Sequence, residues 1–170
     1  MKYKRFEDLP VWKAAIDFAV KVYAFTAEQE FKGQRSLRDQ LERAAVSISN
    51  NIAEGFERGT TQELLTFVYI ARGSCGEARS ELCLIELLAM FARLKPDVIG
   101  LKSRAYSISR QLGAWANSLQ NTEIKGQRYL SDKTRRASQA ARERDEFLAE
   151  LKQMQNMRMS TMDIPDTIQD

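Results

Sequence analysis

Four stretches of this chain repeat apolar or small residues at alternating steps of three and four, and this pattern restricts the fold more than any other feature. The first carries Leu9, Trp12, Ile16, Ala19 and Tyr23, and the second Leu37, Leu41, Ala44, Ile48 and Ile52. The third runs through Leu64, Val68, Ala71, Cys75, Ala78, Leu82, Ile85 and Ala89; the fourth through Val98, Leu101, Ala105, Ile108, Leu112, Trp115 and Leu119. A period of about 3.5 residues keeps each stripe on one helix face and packs the stripes at a shallow left-handed crossing. The breaks between them are short: EFKGQRS, FERGT and RLKPD. Short connections make successive helices antiparallel, so an all-α, up-down-up-down four-helix bundle is expected over residues 1–120. Only three prolines and eight glycines occur in 170 residues, which favours long helices over many short strands. Asp8, Ser36, and Thr60 or Thr61 ahead of Glu63 are candidate N-caps, with Pro10 tolerated in a first turn.

Past Gln120 the character changes. Residues 121–131 read as a linker and 132–158 as an additional, basic amphipathic C-terminal helix with Ala137, Ala141, Leu148, Leu151 and Met154 at helical spacing. Residues 159–170 are polar and mildly acidic, the composition of a disordered tail.

The chemistry available is narrow. There is no histidine, which removes the commonest general base and zinc ligand together. Cys75 and Cys83 lie eight residues apart on one expected helix, about 12 Å along its axis and too far for a disulfide within the chain. No apolar run reaches the ~20 residues that span a bilayer, and MKYKRFEDLP lacks an apolar signal core. A cytoplasmic, non-enzymatic protein with no metal and no cofactor is the expectation. The net charge of +3 is mild, so the distribution of charge carries the information.

The stretch VSISNNIAEGFERGTTQ, Val46–Gln62, concentrates hydroxyl and amide groups where a helix ends. Ser47, Ser49, Asn50, Asn51 and Glu54 form a possible polar pocket, but no nucleophile–base pair accompanies them. A hairpin centred near Gly59 would place Asn51 near Thr66, Arg43 near Ser74 and Gln40 near Glu77. A polar network of Gln40, Arg43, Asn51, Ser74 and Glu77 is therefore expected, with an Arg43–Glu77 ion pair at its centre. Each mid-helix glycine costs about 1 kcal/mol against alanine, so a close backbone approach at Gly73 and Gly76, inside the bundle or against another subunit, is the simplest expectation, with a hinge as the alternative.

Three blocks together resemble a known family. They are FEDLPVWKAA (Phe6, Asp8, Leu9, Val11, Trp12, Ala15), LRDQLERAAVSISNNIAEG (Leu37 to Gly55) and FVYIARGSCGEARSEL (Phe67 to Leu82). The chain resembles, over about residues 6 to 119, the four-helix-bundle proteins encoded in intervening sequences of bacterial 23S ribosomal RNA genes. Those proteins are similar to the accessory variability determinant proteins of diversity-generating retroelements. The resemblance implies a bundle that assembles into a homo-oligomeric ring, typically a pentamer. For the retroelement members it further implies a basic surface that binds nucleic acid and a reverse-transcriptase partner.

The expected function is that of an oligomeric nucleic-acid-binding accessory or scaffold, assisting a reverse transcriptase or an RNA-processing complex. The candidate contacts to DNA or RNA are Arg35, Arg38, Arg72 and Arg79 on the bundle, and Lys133, Arg135, Arg136, Arg142 and Arg144 in the tail. Each arginine also has a plainer reading as the solvated partner of Glu42, Glu81 or Glu143. The alternative function is a protein-interaction module whose C-terminal helix docks through Phe147, Leu148, Leu151, Met154 and Met157.

Overall fold

The computed structural model describes residues 3–121, 140, 143–149 and 151–154. The chain divides into two units, Met1–Arg128 and Tyr129–Asp170. In the first, α1 (Pro10–Thr26), α2 (Arg35–Glu57), α3 (Thr61–Leu87) and α4 (Lys95–Gln120) follow in order, with short 3-10 turns at Phe6–Asp8, Gln29–Phe31 and Ala89–Leu94. Each helix packs against its chain neighbours, and α1 closes against α4. This is the expected four-helix bundle. In the second unit, residues 143–149 and 151–154 are helical, with Phe147, Leu148, Leu151 and Met154 exposed. The expected linker beyond residue 121, most of the remaining tail helix and the polar end, with Met157, lie outside the described residues.

The stripes of α2 and α3 are buried as their spacing predicts, with Leu41, Ala44, Ile48 and Ile52 facing Leu64, Val68, Ala71, Cys75, Ala78, Leu82 and Ile85. Leu37 is half-buried on the edge of that core. Ala89 leaves the stripe: α3 ends at Leu87 and Ala89 opens a 3-10 turn, exposed. In α4, Val98, Leu101, Ala105, Ile108 and Leu112 are buried, joined by Ala116, while Trp115 and Leu119 pack partly against them.

The face of α1 differs from expectation. Ile16 and Tyr23 are exposed, and Trp12 is only half-buried. Val11, Ala15, Phe18, Val22, Phe25 and Thr26 turn inward, joining Leu9 and Ala19 of the expected stripe, which are buried. Nearly every residue of this helix is apolar, so it carries two overlapping heptad stripes. The one with two phenylalanines fills more core volume and wins.

The helix starts also differ in detail. Asp8 lies in the 3-10 turn, and Leu9 precedes α1 with no side-chain cap while Pro10 takes the first helical position. Ser36 sits inside α2, which starts after Gln34. Thr60 does form a full capping box: the Glu63 N–H donates to its hydroxyl at 3.2 Å, and its own N–H donates back to the Glu63 carboxylate at 3.3 Å.

The connections carry anchors of their own. Phe31 stacks edge-on against Phe25 at 5.1 Å and tilts over Phe91 at 4.8 Å, tying the α1–α2 connection to the α3–α4 connection. Just outside, Arg93 grips Glu30 with two nitrogens, at 2.6 and 3.0 Å, and reaches Glu28 at 2.7 Å.

Candidate nucleic-acid interface

The polar stretch at the end of α2 joins α2 to α3 through Ser47, and its Ser47, Asn50, Asn51 and Glu54 line one open groove. Ser47 and Ser74 share a hydrogen bond of 2.9 Å, and Asn51 Nδ2 donates to the Ser47 carbonyl at 2.7 Å and to its hydroxyl at 3.0 Å. Ser49 is buried and donates to the Val46 carbonyl, and Thr66 donates to the Gln62 carbonyl in its own helix. Ser74 therefore meets Ser47, one helical turn along α2 from its expected neighbour Arg43. The register follows side-chain fit: Gly55 is buried where a Cβ would lie 2.6 Å from Phe67 Cβ, so this glycine is the point of close approach.

The slide dissolves part of the expected network. Asn51 and Ser74 come together through Ser47, which the sequence reading did not include. Arg43 and Glu77 do not pair among the described residues; Arg43 Nε donates to the Asp39 carbonyl at 3.2 Å. Gln40, Arg43 and Glu77 instead border an open groove with Ser47, Ser80 and Glu81. No buried side-chain nitrogen or oxygen lacks a hydrogen-bond partner among the described residues. Gly73 and Gly76 are exposed, with nothing within 4 Å of an added Cβ, so neither serves a close approach inside the bundle.

The arginines sort into paired and unpaired sets. Arg35 lies 3.6 Å from Asp39, and Arg38 lies 3.1 Å from Asp39 and 3.9 Å from Glu42. Their charge is neutralised locally, as the plainer reading of these residues has it. Glu42 itself is engaged from below by the buried Thr26 hydroxyl at 2.6 Å. In the tail, Arg144 pairs with Asp145 at 3.2 Å, and Lys133, Arg135, Arg136 and Arg142 lie outside the described residues.

Arg72 and Arg79 are different: neither forms an ion pair with an acid among the described residues. Arg72 lays its guanidinium against α4, where a Cβ at Gly113 would meet it at 3.6 Å. Arg79 sits over the Tyr106 ring, 5.1 Å from its centre. Tyr106, Arg110 and Gly113 follow at steps of four and three and so share one face of α4. Arg110 is exposed and has no acidic partner among the described residues either. Tyr69 ends the row, its hydroxyl accepting from Gln120 Nε2 at 2.8 Å.

The acids are elsewhere. α4 has none after Asp97, and α3 has none between Glu63 and Glu77. Lys102, at the far end of the row, is paired with Glu86, whose hydrogen bond raises the lysine's pKa. The result is a strip along α3 and α4 with two exposed tyrosines and three guanidinium groups that have no acidic partner among the described residues. Arg110 and Tyr106 went unremarked in the sequence, although the acid-free run of α4 was a signal for them.

Two further absences hold among the described residues. No group of histidine, cysteine or carboxylate side chains could hold a metal ion, and no helix is long and apolar enough to cross a membrane. Cys83 is exposed, whereas Cys75 is fully enclosed and its thiol pKa is pushed up to about 12 by burial.

No curated protein matches the chain. A family model described as "23S rRNA-intervening sequence protein" does match, from the first 3-10 turn into α4. With that match spanning residues 7–114 and hence most of the bundle, the chain belongs to the 23S rRNA-intervening sequence protein family.

Proposed function

We propose that this protein is a non-enzymatic, oligomeric nucleic-acid-binding accessory, which presents the α3–α4 strip to the phosphate backbone of its ligand. One observation carries the reading: Arg72, Arg79 and Arg110 share one side of the bundle with no carboxylate in reach among the described residues. Surface arginines surrounded by acids contribute little to phosphate binding, as with Arg35 and Arg38. Cations left uncompensated on one side release counterions from a polyanion when they bind it. The role is that of a scaffold within a larger assembly, an RNA-processing complex or a reverse transcriptase.

An exposed apolar face of α1 supports the oligomeric part of the reading. The second apolar stripe of α1, Ile16, Val20 and Tyr23, is 37%, 64% and 51% exposed. A second copy covering it, in a closed ring of the pentameric kind, would repeat the basic strip around the assembly and multiply phosphate contacts.

Electrophoretic titration of the full chain with RNA and DNA tests the function. Binding should weaken steeply with salt, and reversing all three charges (Arg72→Glu, Arg79→Glu, Arg110→Glu) should abolish it without shifting the melting temperature by more than a few degrees. Unchanged binding by the triple variant would sink the proposal. The alternative is a protein-interaction module, favoured by the exposed Phe147, Leu148, Leu151 and Met154 in the helical residues 143–149 and 151–154. The absence of any salt-sensitive binding would move the weight there.

A further inference from the structure

The α3–α4 strip holds more than charge. We infer that its ligand is single-stranded, with unpaired bases stacking at Tyr106 and Tyr69 while Arg72, Arg79 and Arg110 hold the adjoining phosphates. This rests on the nucleic-acid reading and adds to it the class of strand. Tyr106 is 52% exposed and Tyr69 42% exposed, on a surface where an ordinary solvated helix would place polar groups. A duplex offers the protein its phosphate rims and groove edges but keeps its base faces stacked inside. Exposed rings beside phosphate-binding cations are matched only by bases whose faces are free.

The geometry of the two rings supports stacking over other uses. The hydroxyl of Tyr69 accepts from Gln120, which ties the side chain to α4 while the ring stays exposed. Arg79 sits over one face of the Tyr106 ring, 5.1 Å from its centre, so a base would stack on the opposite face beside a bound cation. Arg110, one turn along α4 from Tyr106, and Arg72, two turns along α3 from Arg79, flank this pair along the strip. An aromatic surface interleaved with cations and read by stacking is tolerant of base identity, so weak sequence preference is expected.

Fluorescence anisotropy with a short labelled strand, as RNA and as DNA, and with each strand annealed to its complement, tests this. The full chain should bind the single strand more tightly than the duplex. Tyr106→Ala should weaken single-strand binding about ten-fold, with Tyr106→Phe close to the parent. The salt slope separates stacking from charge. Tyr106→Ala should leave it unchanged, whereas Arg110→Ala should reduce its magnitude by about 0.7. A melting temperature of Tyr106→Phe equal to the parent keeps folding out of the comparison. Tighter duplex binding, or single-strand binding indifferent to Tyr106→Ala, overturns the inference while leaving nucleic-acid binding standing. Binding of neither form overturns both.

Discussion

A methyl group at position 55 would lie 2.6 Å from the Phe67 Cβ, closer than two carbons can approach. At position 73 it would meet nothing within 4 Å. Two helical glycines in one hairpin thus have opposite physics. Gly55→Ala must push α2 and α3 apart, which costs about 1–3 kcal/mol by overpacking. Gly73→Ala removes only backbone entropy from the unfolded chain and gains about 0.5–1 kcal/mol. Urea melts of the two variants at a protein concentration low enough to hold the chain as a monomer should therefore move the midpoint in opposite directions. A destabilised Gly73→Ala under those conditions would show that the outer face of α3 is covered by something the described residues do not include.

Among the elements, the ends of the bundle depend on groups outside the periodic segments. Arg93 clasps Glu30 and Glu28 across the two connections, and the Arg93 hydrogen bond, ahead of a backbone hydrogen bond, lowers the Glu30 carboxyl below its ordinary value. A carboxyl whose folded pKa is depressed stabilises the fold above its unfolded pKa, and this is lost as the pH falls through the lowered value. Arg93→Ala should accordingly lower the melting temperature at neutral pH. The gap to the parent should narrow only below the ordinary glutamate range, about pH 4. A gap that stayed constant from neutral pH into strong acid would show that the arginine acts through packing alone.

These anchors also mark where the sequence ceased to be legible. Periodicity identified α2, α3 and α4 and the central stripe of each, though not Ala45, Phe56 or Leu65 buried beside it, and the Thr60–Glu63 spacing located the start of α3, because these signals are local. The inward face of α1 was ambiguous because two stripes of similar strength coexist on it. The offset of α2 against α3 was missed by one turn, since it is set by Gly55 against Phe67 and Ser47 against Ser74 rather than by the centre of the loop. Phe31, Phe91 and Arg93 belong to no helical repeat, so nothing in the spacing marked them. For the candidate interface, Arg72 and Arg79 were legible as cations on α3, but their lack of acidic partners among the described residues, and the presence of Arg110 and the tyrosines beside them, is a property of two helices brought together.

At the scale of the whole molecule, α1 presents one apolar stripe to the core and leaves another outside it. Ile16, Val20 and Tyr23 recur at steps of four and three, so they form a continuous line along one face. Tyr23 stands beside Arg43, Val46, Ser47, Asn50, Asn51 and Glu54 in a shallow groove, which extends the line towards α2. A solvated helix gains nothing from such a line, whereas a second copy laid against it removes apolar surface from water at about 25 cal/mol per Å². Val20 is the most exposed member, at 64%, and contributes nothing to the core of its own chain. Val20→Glu should therefore leave the protomer folded, with an unchanged helical circular-dichroism spectrum, while reducing the assembly to monomers in sedimentation equilibrium at micromolar concentration. Under the proposed function a ring would multiply phosphate contacts, so the same variant should bind nucleic acid more weakly and with a shallower dependence on salt, although it alters none of the arginines. A parent chain that sediments as a monomer, or a Val20→Glu chain that assembles as the parent does, would show that this stripe is no contact between copies.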